Sequence, residues 1–385
     1  MLKANPRMKT RKSTNHREAE KFMSLALRLA RRGLGRTSPN PVVGAVIVKD
    51  GRIVGQGYHR AAGKPHAEVE AIRNAGSEAR GAELFVTLEP CNHHGRTPPC
   101  TEAIREAGIG RVYFGIEDPN PGVTGGGEST LRKAGIDVVG PVLEHRCRRQ
   151  NEVYLTNVSQ RRPFVYLKLA MSLDGRIATR TGHSQWITSE KARAKVHRLR
   201  DRVSAVMVGI GTVVADDPRL TTRLPGGRGR NPIRIVVDSQ LRTPPSAAIL
   251  NSPGGPGVII ASASEPCAER RLALERKGAR VLTTSGCSRV DLKDLMPRLF
   301  KIGITSILIE GGGGLAWGAL DARVVDRCLF FYAPLIIGGE SAHPGIGGTG
   351  ISRLEDAPRL TEVRTSRVGS DICLNGRVVY PDTDR

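Results

Sequence analysis

One histidine, two cysteines and a glutamate gathered between Pro65 and Cys100 have the composition of a hydrolytic zinc centre. The stretch opens on Pro65-His66-Ala67-Glu68 and closes on Thr87-Leu88-Glu89-Pro90-Cys91, then His93-His94-Gly95-Arg96-Thr97-Pro98-Pro99-Cys100. Zinc that performs hydrolysis takes three protein ligands and keeps a fourth position for water. His66, Cys91 and Cys100 supply three such ligands. Glu68, close to His66 but not a ligand, is placed to shuttle protons while an amino-heterocycle loses ammonia. A closed structural zinc site would want a fourth sulfur or imidazole and would have no use for Glu68. The usual thiolate pair in such deaminases is Cys-x-x-Cys, yet eight residues separate Cys91 from Cys100. His93 and His94 fall in that gap and read as substrate-facing or structural, not as a fourth ligand.

The elements that must position these groups alternate between helix and strand. Glu18 to Arg32 carries Phe22, Leu25, Ala26 and Leu29 at amphipathic-helix spacing, and Ser38-Pro39-Asn40-Pro41 ends it. Val42 to Val48 and Arg52 to Gly57 flank Asp50-Gly51 as the arms of a hairpin. A helix is predicted over His66 to Ala75 and a strand over Leu84 to Leu88. Pro99-Cys100 opens another helix running through Ala107, with proline near its first turn. His66 and Cys100 would then each stand at a helix start, where partial positive charge favours thiolate ligands. Val112 to Ile116, Leu131 to Ala134 and Ile136 to Val139 continue the alternation, which implies a layered α/β domain.

A chain of 385 residues is too long for one ordinary core and suggests two domains. Its charge is +22, from 59 Lys+Arg against 37 Asp+Glu. That excess suits a nucleic acid, and equally phosphorylated small molecules and phosphate-bearing cofactors. A deaminase editing transfer RNA is the rival reading the charge allows. Aromatic residues are scarce, however, and no basic stripe is interleaved with stacking rings, so no nucleic-acid partner is expected. Seven scattered cysteines fit a reduced, cytoplasmic protein. No apolar run approaches the roughly 18 residues that span a membrane, so no membrane partner is expected. Residues 1–17 are basic, lack the apolar core of a secretory signal, and read as a disordered extension.

Glu144 to Gln160 reads as a linker helix, and a new domain opens at Arg161-Arg162-Pro163. The expected division is therefore 1–17, 18–160 and 161–385. Phe164 to Leu169 is a strand, followed by Ala170-Met171-Ser172-Leu173-Asp174-Gly175. Glu190 to Arg200 is helical, Glu265 to Lys277 is a charged helix, and Pro225 to Arg230 is a glycine-rich mobile loop. Val203 to Val208, Ile233 to Val237, Val258 to Ala261 and Thr305 to Ile309 read as buried strands of a sheet covered on both faces. The last of these runs into Glu310-Gly311-Gly312-Gly313-Gly314, with a helix beginning near Leu315. Missing side chains let main-chain amides approach phosphate at a helix N-terminus. Gly311, Gly313 and Ala316 satisfy a dinucleotide Gly-x-Gly-x-x-Ala pattern, but late in the domain and not at the opening of a βαβ unit. A phosphate cradle and a plain tight turn both remain open from spacing alone.

Longer runs resemble a known family. Ser38 to Gly44, Gly57-Tyr58-His59, Ala62 to Glu68, Thr87 to Cys100 and Asp118-Pro119-Asn120-Pro121 resemble the deaminase domain of the bifunctional riboflavin biosynthesis deaminase/reductases, where the eight-residue gap between the cysteines is normal. The resemblance implies a cytidine-deaminase-like three-layer α/β sandwich acting on a diaminopyrimidinone with a phosphoribosylamino group, and Asn40 and His59 lining its pocket. Lys168-Leu169-Ala170, Ser172 to Gly175, Ser184 to Thr188, Ala215 to Pro218 and Glu310-Gly311-Gly312 resemble the reductase domain of the same family. There it implies a dihydrofolate-reductase-like fold that uses NADPH. Ala170, Trp186, Thr212, Asp216, Ser239 and the run Gly312, Gly313, Gly314, Leu315, Ala316, Trp317, Gly318 would contact the cofactor. Ser184, Arg200, Leu220, Arg223 and Glu310 would hold the phosphoribosyl substrate, and Lys168 would polarise the sugar carbon that accepts hydride. A homo-oligomer is the expected assembly.

Overall fold

The computed structural model describes residues 15–93, 98–120, 126–227, 229–252, 255–264 and 266–381. Most of the basic extension, His94 to Thr97 of the inter-cysteine loop, Pro121, Arg228 and Glu265 lie outside the described residues. The chain packs as two units, residues 1–159 and 160–385.

The first unit runs α1 (His16–Ala30), β1 (Gly44–Lys49), β2 (Arg52–Tyr58), α2 (Ala67–Ala75), β3 (Glu83–Val86), α3 (Cys100–Glu106), β4 (Arg111–Phe114), α4 (Gly127–Lys133), β5 (Asp137–Val139), α5 (Glu144–Gln150) and α6 (Glu152–Gln160). Helix α1 starts inside the stretch expected to be a loose extension. Asn15 caps it, accepting from the Glu18 amide while the Glu18 carboxylate returns to the Asn15 amide. The sheet order is β2-β1-β3-β4-β5, antiparallel at the β2–β1 and β1–β3 junctions and parallel beyond. Asp50 and Gly51 both take positive φ, so the β1–β2 hairpin turns on two residues as expected.

Glycines set how closely the helices approach this sheet. A methyl on Gly44 would stand 2.7 Å from the Ala30 nitrogen of α1. On the opposite face, a methyl on Gly57 would stand 2.6 Å from the Ala71 nitrogen of α2, and one on Gly55 would stand 2.8 Å from the Ala75 methyl. Residues 44 and 45 point to opposite faces, and Ala45 pairs with Gly57, so α1 and α2 cover the two sides of a three-layer sandwich. Its core joins Phe22, Met23 and Ala26 of α1 to Val46, Phe85, Val112 and Phe114 of the strands. The expected single linker helix is instead α5 and α6, broken at buried Asn151. Its side-chain oxygen accepts from the Val42 amide at 2.8 Å, and its NH2 donates to the Val42 carbonyl at 3.1 Å.

The second unit runs β6 (Phe164–Met171), α7 (Glu190–Arg200), β7 (Ala205–Gly209), α8 (Ile210–Asp216), β8 (Ile233–Val237), β9 (Val258–Ser262), α9 (Ala268–Arg276), β10 (Ala279–Thr283), α10 (Leu292–Lys301), β11 (Ser306–Ile309), α11 (Gly313–Asp321), β12 (Arg327–Tyr332), β13 (Arg359–Val368) and β14 (Asp371–Val379). Nine strands form one sheet, β10-β9-β8-β7-β11-β6-β12-β14-β13. It is parallel from β10 to β12, and β14 and β13 add an antiparallel hairpin at one edge. Ile307 and Ile309 join Leu295, Leu299, Ala316 and Ala319 on one face, while Leu308 joins Val206, Val236 and Leu274 on the other. Helices therefore cover both faces, as continuous apolar strands require. On β6 the same alternation sends Leu167 and Leu169 to the first face and leaves Lys168 and Ala170 on the second.

Candidate active sites

In the first unit, His66 is the N-cap of α2 and Cys100 is the first residue of α3, while Cys91 lies in the loop between β3 and α3. The imidazole thus sits just ahead of its helix, not within the first turn. Gly55 and Gly57 let α2 lie against β2, and this places its N-terminus beside the two thiols. His66 Nδ1 lies 3.2 Å from Cys100 Sγ and 3.5 Å from Cys91 Sγ, and one ligand atom from each residue falls within 4.8 Å of the others. The donor set, one nitrogen and two sulfurs from three side chains, fits zinc with a position left open.

The protonation of the trio follows from this crowding. The hydrogen bond from Cys100 pulls the Cys91 thiol down to about 4, with help from His66. The same pairing, with burial, pushes Cys100 well above its ordinary value. Bonding to Cys91 lifts His66 to about 9. Glu68, the second residue of α2, is only 3% exposed, and its Oε2 has no hydrogen-bond partner. Burial raises its proton affinity, partly offset by His66. A carboxyl stripped of water beside a metal trio is suited to taking and giving a proton.

His59 and Asn40, expected in the pocket, are beside this centre. The His59 ring stands edge-on to His66, with centroids 5.3 Å apart. Its Nδ1 is 3.1 Å from the Pro65 carbonyl, so Nδ1 carries the proton, and Nε2, 3.1 Å away, accepts from the Asn40 amide. Burial lowers the His59 pKa and keeps the ring neutral. Three supports were not foreseen in the sequence. Asn151 fixes Val42 and hence the turn that carries Asn40. Glu89 accepts from the Asp118 amide at 3.2 Å and from the Glu128 amide at 2.9 Å, which ties the loop after β4 to the start of α4. Tyr154 donates to Asp118 at 2.8 Å. Glu89 could have been noticed as a carboxylate inside the motif. Asn151 and Tyr154 carry no local signal, because their partners are distant in sequence. His93 is exposed.

In the second unit, charged side chains meet where β6, β7 and β11 end, the place where open parallel sheets bind ligands. Glu310 follows β11, and Arg200 closes α7. Arg200 Nε donates to Glu310 Oε1 at 2.6 Å, and its Nη2 donates to Oε2 at 3.1 Å. Lys168 Nζ stands 3.7 Å from Glu310 Oε2. Burial lowers the Lys168 pKa, opposed by Glu310. Burial would raise Glu310, but Arg200 and Lys168 outweigh it and hold the carboxylate below its ordinary range. Arg223 projects nearby, its pKa lowered by burial and by the charges of Arg200 and Arg219.

The glycine turn is open at Gly312 and Gly314 but not at Gly313, where a methyl would stand 2.6 Å from the Pro344 carbonyl and whose own carbonyl accepts from the Gly347 amide at 3.0 Å. Gly312 caps α11, a methyl there would come no closer than 3.9 Å to the Thr212 hydroxyl, and a methyl on Gly314 would meet nothing within 4 Å. This space at Gly312 and Gly314, at the N-terminus of a nine-residue helix, fits a phosphate-bearing cofactor. Ala170 shares the Lys168 face of β6. Trp186 is 65% exposed with the Arg193 guanidinium 4.6 Å over its ring, and half-buried Ser184 shares its loop. Other positions differ from expectation. Ala316 is wholly buried in the core, and Leu315 packs against that core, so neither side chain is free for a ligand. The Leu220 side chain is likewise in the core on the other face, which leaves its main chain alone. Trp317 is packed under Gly348, and Gly318 is half-buried. Ser239 Oγ accepts from the Val290 amide at 3.2 Å, and Asp216 is exposed at the end of α8. Among the described residues neither bonds the glycine turn.

A sandwich that gathers a His-Cys-Cys metal trio, joined to a parallel-sheet unit with a glycine turn at a helix start, defines the class, and comparison with known proteins agrees. Residues 16–116 match the cytidine and deoxycytidylate deaminase zinc-binding region, and residues 163–374 match the RibD C-terminal domain. Riboflavin biosynthesis protein RibD of Actinobacillus pleuropneumoniae is 43% identical over 94% of this chain and 95% of its own length. That of Aquifex aeolicus is 44% identical over 93% and 98%. RibD of Acinetobacter baumannii superposes with a TM-score of 0.84 at 36% identity, covering 95% of this chain and 100% of that one. The diaminohydroxyphosphoribosylaminopyrimidine deaminase/5-amino-6-(5-phosphoribosylamino)uracil reductase of Thermotoga maritima superposes at 0.82 with 38% identity, covering 94% and 99%. The chain belongs to the RibD family. It is a bifunctional enzyme of riboflavin biosynthesis, a zinc-dependent pyrimidine deaminase and an NADPH-dependent reductase in one polypeptide. No helix among the described residues is long and apolar enough to cross a membrane.

Proposed function

We propose that residues 18–160 deaminate 2,5-diamino-6-(5-phosphoribosylamino)pyrimidin-4-one and that residues 161–385 reduce the ribosyl group of the product to ribityl. The observation that carries this reading is buried Glu68, with an unpartnered oxygen, in the first turn of the helix that His66 of the His66–Cys91–Cys100 trio caps. Zinc held by that trio supplies the Lewis acidity that makes water a nucleophile at neutral pH. Glu68 accepts the proton of the attacking water and delivers it to the departing amino group. Neutral His59 fixes Asn40, whose side-chain carbonyl is left to accept from the pyrimidine.

In the second unit NADPH would be held by the main chain of Gly312 to Gly314 beside Thr212 and would supply the hydride. Ala170, Trp186, Asp216, Ser239 and the main chain of 315–318 complete its site. Arg200 and Arg223 hold the substrate's phosphate, which guanidinium binds in bidentate fashion. Ser184 and the Leu220 main chain flank it. Glu310 fixes Arg200 and the Lys168 ammonium, and Lys168 polarises the sugar carbon that takes hydride. Seven free cysteines support a cytoplasmic, reduced setting. A homo-oligomer without nucleic acid is the proposed assembly, and the exposed edge strand β13 with uncovered Val363 supports self-association.

Purified protein supplied with the phosphorylated diaminopyrimidinone tests the reading. Ammonia release and NADPH consumption are followed separately, with bound zinc measured alongside. Both should proceed, ammonia first. Reduction with no ammonia released would refute it.

A further inference from the structure

The last turn of α7 grips the chain that follows α8 at three points. His197, Arg200 and Asp201 share one helix face by their spacing. His197 Nδ1 accepts from the Arg223 main-chain amide at 3.2 Å. Arg200 Nη1 donates to the Thr221 carbonyl at 3.0 Å, and Asp201 Oδ1 accepts from the Arg230 amide at 2.7 Å. The Thr222 amide between them donates to Asn231 Oδ1 at 2.8 Å. The main chain around Arg223 is therefore fixed, while its own guanidinium has no carboxylate partner among the described residues.

We propose that His197 is a positioning residue that sets the reductase site's preference for a phosphorylated substrate, by anchoring the main chain from which Arg223 reaches the phosphate. The proposal rests on the reading of Arg200 and Arg223 as the phosphate-holding pair.

Only a neutral imidazole can accept at Nδ1. Lys168 on β6, Arg200 on α7 and Arg223 on the following loop surround His197, with Glu310 after β11 the one opposing charge. Burial and these cations hold its pKa down to about 4, so the acceptor persists throughout the neutral range. Arg223 stands against Arg200 and Arg219 with only Glu310 in opposition. Its guanidinium would retreat toward solvent if its main chain were loose. An arriving phosphate removes that repulsion, so the anchor matters for substrates that carry phosphate and hardly at all for those that do not.

The test measures reductase kinetics on 5-amino-6-(5-phosphoribosylamino)uracil and on its dephosphorylated form in the full chain, with ammonia release as the internal control for folding. His197→Ala should raise KM for the phosphorylated substrate about tenfold, the scale of one lost positioning hydrogen bond. It should leave kcat and the KM for NADPH within about twofold and bring the two substrates closer together. His197→Asn, whose side-chain oxygen can take the place of Nδ1, should restore the preference. Adding His197→Ala to Arg223→Ala should cost nothing further, since one acts through the other. If Arg223→Ala itself leaves the preference intact, the phosphate reading fails. If Arg223→Ala abolishes it but His197→Ala does not, the positioning role alone is overturned. Loss of kcat and of both KM values together in His197→Ala, unrelieved by asparagine, would mark a merely structural histidine and also overturn it.

Discussion

Each unit holds a glutamate carboxyl out of water at the heart of its site, Glu68 in the first and Glu310 in the second, and the two are held in opposite states. Glu68 has an unpartnered oxygen and a raised proton affinity, because burial is not balanced by any cation paired to it. Glu310, its side chain 7% exposed, is clamped by Arg200 and faced by Lys168, which keep it ionised. The environment, not the residue type, assigns the task. On the proposed reading Glu68 carries a proton, and Glu310 is a fixed anion that orders the cations meant for a phosphorylated sugar.

The contrast can be broken in order of expected effect. Removing zinc with a chelator should reduce ammonia release to background while NADPH oxidation on the deaminated substrate continues; parallel loss of both would mean that the metal holds the whole chain together. Glu310→Gln should destabilise the second unit by about 3–5 kcal/mol, because it leaves Lys168 and Arg200 buried without their anion. Urea unfolding followed by a probe in that unit checks this, and an unchanged midpoint would show that the clamp does not hold the site. In the first unit, Gly57→Ala should cost about 1–3 kcal/mol by pushing α2 off β2, with zinc affinity weakened because His66 and Glu68 ride on that helix. Calorimetry with a zinc titration reads both.

The smallest effect concerns pH. His197 ionises at 6.5 in an unfolded chain and near 4 in the fold, so between these values the unfolded state binds more protons. Stability of the second unit should therefore fall as pH drops from 6.5 toward 4, and His197→Asn should flatten that slope. An identical slope in the variant would place the titration elsewhere.

The two units also differ in how much the sequence discloses. His66 and Cys100 lie 34 positions apart and each opens a helix, so their convergence was legible from types, spacing and helix signals. Arg200 and Glu310 lie 110 positions apart, and nothing local joins them. Only resemblance paired them, and it gave no hint of His197, whose role depends on a main-chain amide brought in by the loop after α8. The buried strands β7, β8, β9 and β11 showed as apolar β-branched runs. The edge strand β13 did not, because it mixes Arg, Thr and Glu with few apolar positions, while interior β12, an apolar run from Cys328 to Tyr332, was simply passed over. At Ala316 the small residue of the Gly-x-Gly-x-x-Ala pattern faces the core, where it lets α11 pack closely on the sheet, so its side chain is not the cofactor contact that resemblance suggested.

The most direct test compares Glu68→Gln with Glu310→Gln in two assays on each protein, ammonia release from the diaminopyrimidinone and NADPH oxidation with the deaminated product supplied. Glu68→Gln should slow ammonia release by about 10²–10⁴-fold, the usual contribution of a positioned acid–base group, and leave NADPH oxidation unchanged. Glu310→Gln should instead slow NADPH oxidation and leave ammonia release unchanged. If either variant loses both activities in step, or if Glu68→Gln still releases ammonia at the native rate, the opposed roles of the two buried carboxyls are contradicted.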